Sequence, residues 1–101
     1  MDVKVVDNRD LGRFEILADG EVAAFVLYQL YQGEIVFTHT ETGDRFRGQG
    51  LGSRLVRASL DSARQRHLAV LPYCPYVKSW ISTHREYADL VPEDRRAQFG
   101  L

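Results

Sequence analysis

A chain of 101 residues is long enough for one hydrophobic core and too short for two, so residues 1–101 are read as a single domain. A net charge of -1 and a pI near 6.3 provide no global attraction to nucleic acid or to an anionic membrane, so any anion site has to be local. Met1-Asp2-Val3-Lys4 lacks the start of a signal peptide, and no run approaches the ~20 apolar residues of a membrane span, which predicts a cytoplasmic protein.

Val3 to Val6 and Arg13 to Leu17 are short β-prone runs, and Asp19-Gly20 is a hairpin signal leading into Glu21 to Leu30. Within that third run Ala23 to Tyr28 is apolar on both faces, as a covered central strand requires. Tyr31-Gln32-Gly33 turns the chain into a fourth strand, Glu34 to Thr40, completing an antiparallel meander. A helical stripe then runs from Gln49 to Arg66, with Leu51, Leu55, Ala58 and Ser62 on one line and Val56, Ser59 and Ala63 beside it. His67 to Pro72 reads as a short strand, Pro75 opens a helix reaching about His84, and Pro92 opens a last helical stretch through Gln98. The strand, helix and strand from Glu34 to Leu71 form a βαβ unit with parallel strands. The fold class is therefore α+β, a meander followed by a βαβ unit, with helices on the sheet in three layers. His39 and Thr40 on one strand, and Tyr73 and Cys74 on the other, end on the same sheet edge, where open sheets bind ligands.

Between the fourth strand and the first long helix stands Arg45-Phe46-Arg47-Gly48-Gln49-Gly50-Leu51-Gly52. Glycines there admit positive φ and let a ligand approach the backbone, while the helix aims its unpaired amides and positive dipole end at the same point. A phosphate or pyrophosphate suits that geometry. A nucleotide-hydrolysing P-loop would need Gly-Lys-Ser/Thr after its last glycine, and Gly52-Ser53-Arg54 follows instead. The spacing of Gly48, Gly50 and Gly52 also misses the dinucleotide fingerprint. An ordinary glycine-rich loop before a helix is the plainer alternative.

Arg/Gln-x-x-Gly-x-Gly/Ala, with Arg45, Gly48 and Gly50 at its fixed positions, resembles the pyrophosphate cradle of GNAT N-acetyltransferases. His39-Thr40, Ala63-Arg64 and Pro72-Tyr73-Cys74-Pro75-Tyr76-Val77 extend the resemblance, toward very small members of that family, over Glu34 to Tyr87. The resemblance implies acetyl-CoA as donor, its pyrophosphate on the amides of Arg47 to Gly52 (Gly48, Gln49, Gly50 and Leu51 between) and its pantetheine between splayed fourth and fifth strands. It also implies Cys74 and His39 as candidate catalytic residues. Typical members wall the acceptor pocket with two helices after the first strand. The meander leaves no room for them, so the acceptor side should be open and should favour an exposed lysine or N-terminus of a protein or peptide.

Cys74 has two candidate roles. As thiolate, favoured by the helix start at Pro75, it takes the acetyl group; as thiol, it protonates the departing sulfur. A small buried core residue is the competing assignment. His39 is the candidate base and Glu41 the runner-up, while Tyr76 and Tyr87 combine aromatic packing with a proton to donate. Arg45 and Arg47 are candidate phosphate contacts, with Thr40, Ser53 and Lys78 completing the donor site. His67, His84 and the pair Arg95-Arg96 are assigned to the surface. Three scattered histidines and one cysteine lack metal-ligand spacing, so no metal is expected. A monomer or weak homodimer is expected. Two further functional readings are a CoA-binding module without turnover and a protein-interaction domain.

Overall fold

The computed structural model describes residues 1–101. Five strands, β1 (Val3–Asn8), β2 (Arg13–Ala18), β3 (Glu21–Tyr31), β4 (Glu34–Thr42) and β5 (Ala69–Pro72), lie in sequence order across one sheet. The first four pair antiparallel, and β5 pairs parallel to β4, so the expected meander and βαβ unit are both present. Helix α1 (Leu51–Gln65) makes the crossover and α2 (Pro75–Thr83) follows β5, with Pro75 in its first turn, where the missing N–H costs nothing. The remaining chain forms 3-10 turns at Arg9–Leu11, Asp44–Phe46, Arg85–Leu90 and Glu93–Phe99. No helix is long and apolar enough to cross a membrane.

Register determines which side chains share a face. Phe14, Ile16, Ala24, Val26 and Thr40 lie on the face that α1 covers, whereas Arg13, Glu15, Phe25, Leu27, His39 and Glu41 lie on the other. Phe25 and Leu27 are accordingly half-buried, not fully covered as the apolar run suggests. Helix α1 buries Leu51, Leu55, Val56, Ser59, Leu60 and Ala63, a stripe turned about one position from the expected line through Ala58 and Ser62. Leu60 turns it, because burying a leucine removes far more apolar surface from water than burying a serine.

Polar contacts fasten the second half of the chain to α1. Trp80 on α2 donates its Nε1–H to Ser53 Oγ at 2.8 Å. The hydroxyl of Tyr87 donates to Asp61 at 2.7 Å and accepts from Arg57 at 3.3 Å. Arg64 grips Asp89 with two bonds at 2.8 and 3.0 Å. His84 is half-buried, its ring stacked on Trp80 at 3.7 Å, so it is not the surface residue expected. Arg95 and Arg96 are likewise half-buried: Arg95 bonds Tyr73 and Gln98, and Arg96 bonds the Val91 carbonyl. Both close the β5 side of the sheet, where Phe99 packs edge-on to Tyr73 at 5.1 Å.

Candidate active site

The site begins where β5 stops. Its pairing with β4 runs only from Glu34 to Phe37, and one further bond, from Cys74 N–H to the Phe37 carbonyl at 2.9 Å, ends the contact. Residues 38–42 of β4 therefore form an exposed strand edge facing the start of α2.

A one-residue bulge controls what that segment presents. Leu27 pairs with His39 and Tyr28 with Phe37, so Thr38 is extra and the alternation is reset at this point. Thr40, not His39, then shares the face of Phe37. Its hydroxyl meets Cys74 Sγ at 3.1 Å, and that thiol is 1% exposed at the position immediately preceding α2. His39 lies on the opposite face, its Nε2 3.6 Å from a Glu41 carboxylate oxygen. The two candidate catalytic residues are thus separated by the strand itself, with Thr40 as the direct neighbour of Cys74.

Alongside this edge lies the cradle. Gly50 ends the loop at φ +74°, and a Cβ built on it meets nothing within 4 Å, so the space above is open. Arg54 N–H is the first helical donor to reach a carbonyl, that of Gly50, which leaves the amides of Leu51, Gly52 and Ser53 without intrahelical partners. No side chain caps this helix start and no acidic residue stands in its first turn. An anion is the missing complement. Gly52 is a glycine for another reason: a Cβ there comes within 2.8 Å of the Tyr76 hydroxyl. Tyr76 projects from α2 against the cradle and, with Thr42, Phe46 and the glycines, lines a cleft of ≈ 410 Å³. Burial raises its phenol above the usual tyrosine range.

The other expected donor contacts are spread around this cleft. Arg45 turns away to Glu21 on β3 at 2.6 Å and Arg47 to Asp44 at 3.3 Å. Gln49 donates to the Arg45 carbonyl, and Leu51 buries its side chain in the core, leaving only its amide toward the loop. Ser53 is occupied by Trp80, and Lys78 is exposed one turn into α2. Sequence reading gave Tyr76 no place at the cradle, although a glycine two residues beyond Gly50 hints at a neighbour needing room.

Comparison with known proteins agrees with this fold. Residues 13–90 match the family model described as GCN5-related N-acetyl-transferase. The mouse protein NATD1 (Mus musculus) is 28% identical over 81 residues, 78% of this chain and 74% of its own. A GCN5-like protein from Staphylococcus aureus, solved by NMR, superposes with a TM-score of 0.66 at 25% identity, covering 90% of this chain and 87% of that one. The ribosomal-protein-S18-alanine N-acetyltransferase of Escherichia coli gives a TM-score of 0.55 at 25% identity over 57% of this chain, and the match spans only 38% of that enzyme.

Proposed function

We propose that this chain, which belongs to the GCN5-related N-acetyltransferase family and is an acyltransferase, moves an acetyl group from acetyl-CoA to an exposed amine of a protein or peptide. One observation carries the reading. The uncapped helix start of α1 and Thr42, at the end of the part of β4 that β5 leaves unpaired, line one cleft, and two residues back along that strand Thr40 meets Cys74. A pyrophosphate at the amides and a thioester at Thr40 and Cys74 fit the two ends of one extended cofactor. The amides supply the main phosphate contacts, since Arg45 and Arg47 are already paired with carboxylates.

At the far end the amine nitrogen bonds to the acetyl carbon, the carbon–sulfur bond of the thioester breaks, the amine loses a proton and the departing sulfur gains one. Holding both reactants in one cleft supplies much of the rate. Cys74 serves the acetyl end of this exchange. With the Thr40 hydroxyl donating to a thiolate Sγ, the sulfur bonds to the acetyl carbon as the thioester carbon–sulfur bond breaks, and the amine then displaces Sγ; as a thiol, Sγ–H instead gives its proton to the departing sulfur and regains the one the amine loses, through water. The carboxylate of Glu41 and the ring of His39, on the opposite face, are placed to take the amine proton through water. A sheet face without the usual helical wall leaves room for an amine exposed on a protein or peptide, which supports that acceptor class.

The test is a titration of isotopically labelled protein with coenzyme A, followed by intact mass after incubation with acetyl-CoA. The amide signals of residues 48–53 should shift, and Cys74→Ala should keep those shifts while losing transfer to an amine peptide. Gain of one acetyl mass on wild type but not on Cys74→Ala identifies the covalent route. Unmoved amides at millimolar coenzyme A remove the reading.

A further inference from the structure

On the face opposite Cys74 a second cleft of ≈ 420 Å³ lies beside the same segment of β4, lined by Arg13, Phe25, Glu41, Asp44 and Arg47 among others. Its charges are not equally available. Asp44 holds Arg47 at 3.3 Å. Arg13 uses only its Nε, which donates to Glu15 at 2.7 Å, and Glu15 is a buried carboxylate that Asn8 also bonds at 3.0 Å. The Arg13 guanidinium carbon lies over the Phe25 ring, 4.3 Å from its centre. Both terminal nitrogens therefore remain as donors on a group fixed by an ion pair at one edge and an aromatic ring beneath. Such a fork matches a carboxylate in geometry and charge, and its orientation is set before the ligand arrives. Glu41, whose neighbour is the His39 ring at 3.6 Å, also lines the cleft and is paired across the sheet with Phe25.

Resting on the acceptor reading above, we infer that this cleft selects the acceptor: Glu41 receives its amine and Arg13 binds a carboxylate farther along, so the substrate class is a peptide amine followed closely by an acidic residue. Glu41 on β4 is the direct cross-strand partner of Phe25, Arg13 on β2 is one pair off it with its guanidinium over the ring, and cross-strand Cβ atoms lie about 5 Å apart, so the two charged groups stand two strand spacings from one another with Phe25 between. An extended chain advances about 3.3–3.6 Å per residue, which brings a side chain two residues beyond the amine to Arg13. A free amino acid offering its α-amine is too short to span both groups, because one carbon separates that amine from its α-carboxylate. Glu41 follows Thr40 on the stretch of β4 that β5 leaves uncovered, with its side chain on the other face, so an amine held there reaches the acetyl end around that open strand edge.

The experiment measures kcat/KM for peptides with a free N-terminus that differ only at the third residue: Asp, Asn or Lys. Wild type should favour Asp over Asn by about tenfold, the effect of one charge-assisted bond, with Lys poorest and the difference carried by KM. In Arg13→Gln, which keeps a donor for Glu15, the Asp and Asn peptides should become equal while coenzyme A affinity is retained. Equal rates for the Asp and Asn peptides on wild type overturn the inference without any variant. A preference that persists undiminished in a folded Arg13→Gln protein overturns the role of Arg13. If no peptide is acetylated although coenzyme A binds, the acceptor reading falls and the inference with it.

Discussion

At the scale of single residues, two glycines of the loop serve different physical ends. Gly50 supplies positive φ and open space, whereas Gly52 yields room to the Tyr76 hydroxyl. Gly52→Ala should therefore displace a half-exposed ring, not break the fold, changing stability by less than about 1 kcal/mol while weakening coenzyme A binding. Tyr76→Phe removes the atom nearest the new methyl, so the double variant should bind better than additivity allows. Strictly additive losses in that double-mutant cycle would detach Tyr76 from the cradle. Tyr28 affords a second residue-scale prediction. Burial, and then its hydrogen bond to the Asp7 carboxylate, push its phenol up to about 12. Because the folded value is raised, the stability it contributes is complete below the ordinary tyrosine range, near pH 10, and is lost as pH rises toward about 12. Urea midpoints should fall across that window, and Asp7→Asn should move tyrosinate formation to lower pH. An unchanged absorbance titration in Asp7→Asn would contradict the assignment.

At the scale of elements, the half-site built by α2 depends on how α2 and its following turn are held to α1. Tyr87 sits at the centre of that junction with one donated and one accepted bond. Tyr87→Phe leaves Asp61 without its donor and should cost about 1–2 kcal/mol, read from urea unfolding. Coenzyme A affinity should be almost unchanged, because Trp80 still ties α2 to Ser53. Loss of affinity beyond the loss of stability would mean that the junction also sets the cradle. The Arg64–Asp89 pair is half-exposed and acts more weakly. Its hydrogen bond to Arg64 holds the Asp89 carboxyl below the usual range, so that support is present above the ordinary carboxylate pKa and fades as pH falls through the lowered value.

At the scale of the whole molecule, one core of 25 buried residues joins the sheet to both helices, and the cleft proposed for the cofactor straddles the α1 loop and the start of α2. A ligand bridging them stabilises only the folded chain. Coenzyme A at about 100 times its Kd should add about 2.7 kcal/mol, which at about 4–8 °C per kcal/mol for a chain of this size raises Tm by about 10–20 °C. A shift equally large with adenosine alone would place the binding outside the amide cradle, since adenosine carries no phosphate.

The order of strands and helices, the parallel βαβ unit and the glycine turn aimed at a helix start were legible in the amino-acid sequence. Each depends on local rules: alternation, helical periodicity, and the conformations that glycine and proline permit. Family resemblance likewise followed from short motifs in chain order. The partners of the site residues were not legible, because they are set by contacts between distant segments. A single extra residue at Thr38 decided that Thr40 meets Cys74 while His39 faces the other way, and nothing in Thr38-His39-Thr40 marks which residue the partner strand will skip. Pairing across the sheet and the loop took Arg45 to Glu21 and laid Arg13 over Phe25, through attractions that exist only once the strands have their register. Local chemistry thus specified a glycine turn at one helix start and a cysteine at the next, and the register of β3 against β4 decided which side chains of β4 share the face of that cysteine and which lie on the other.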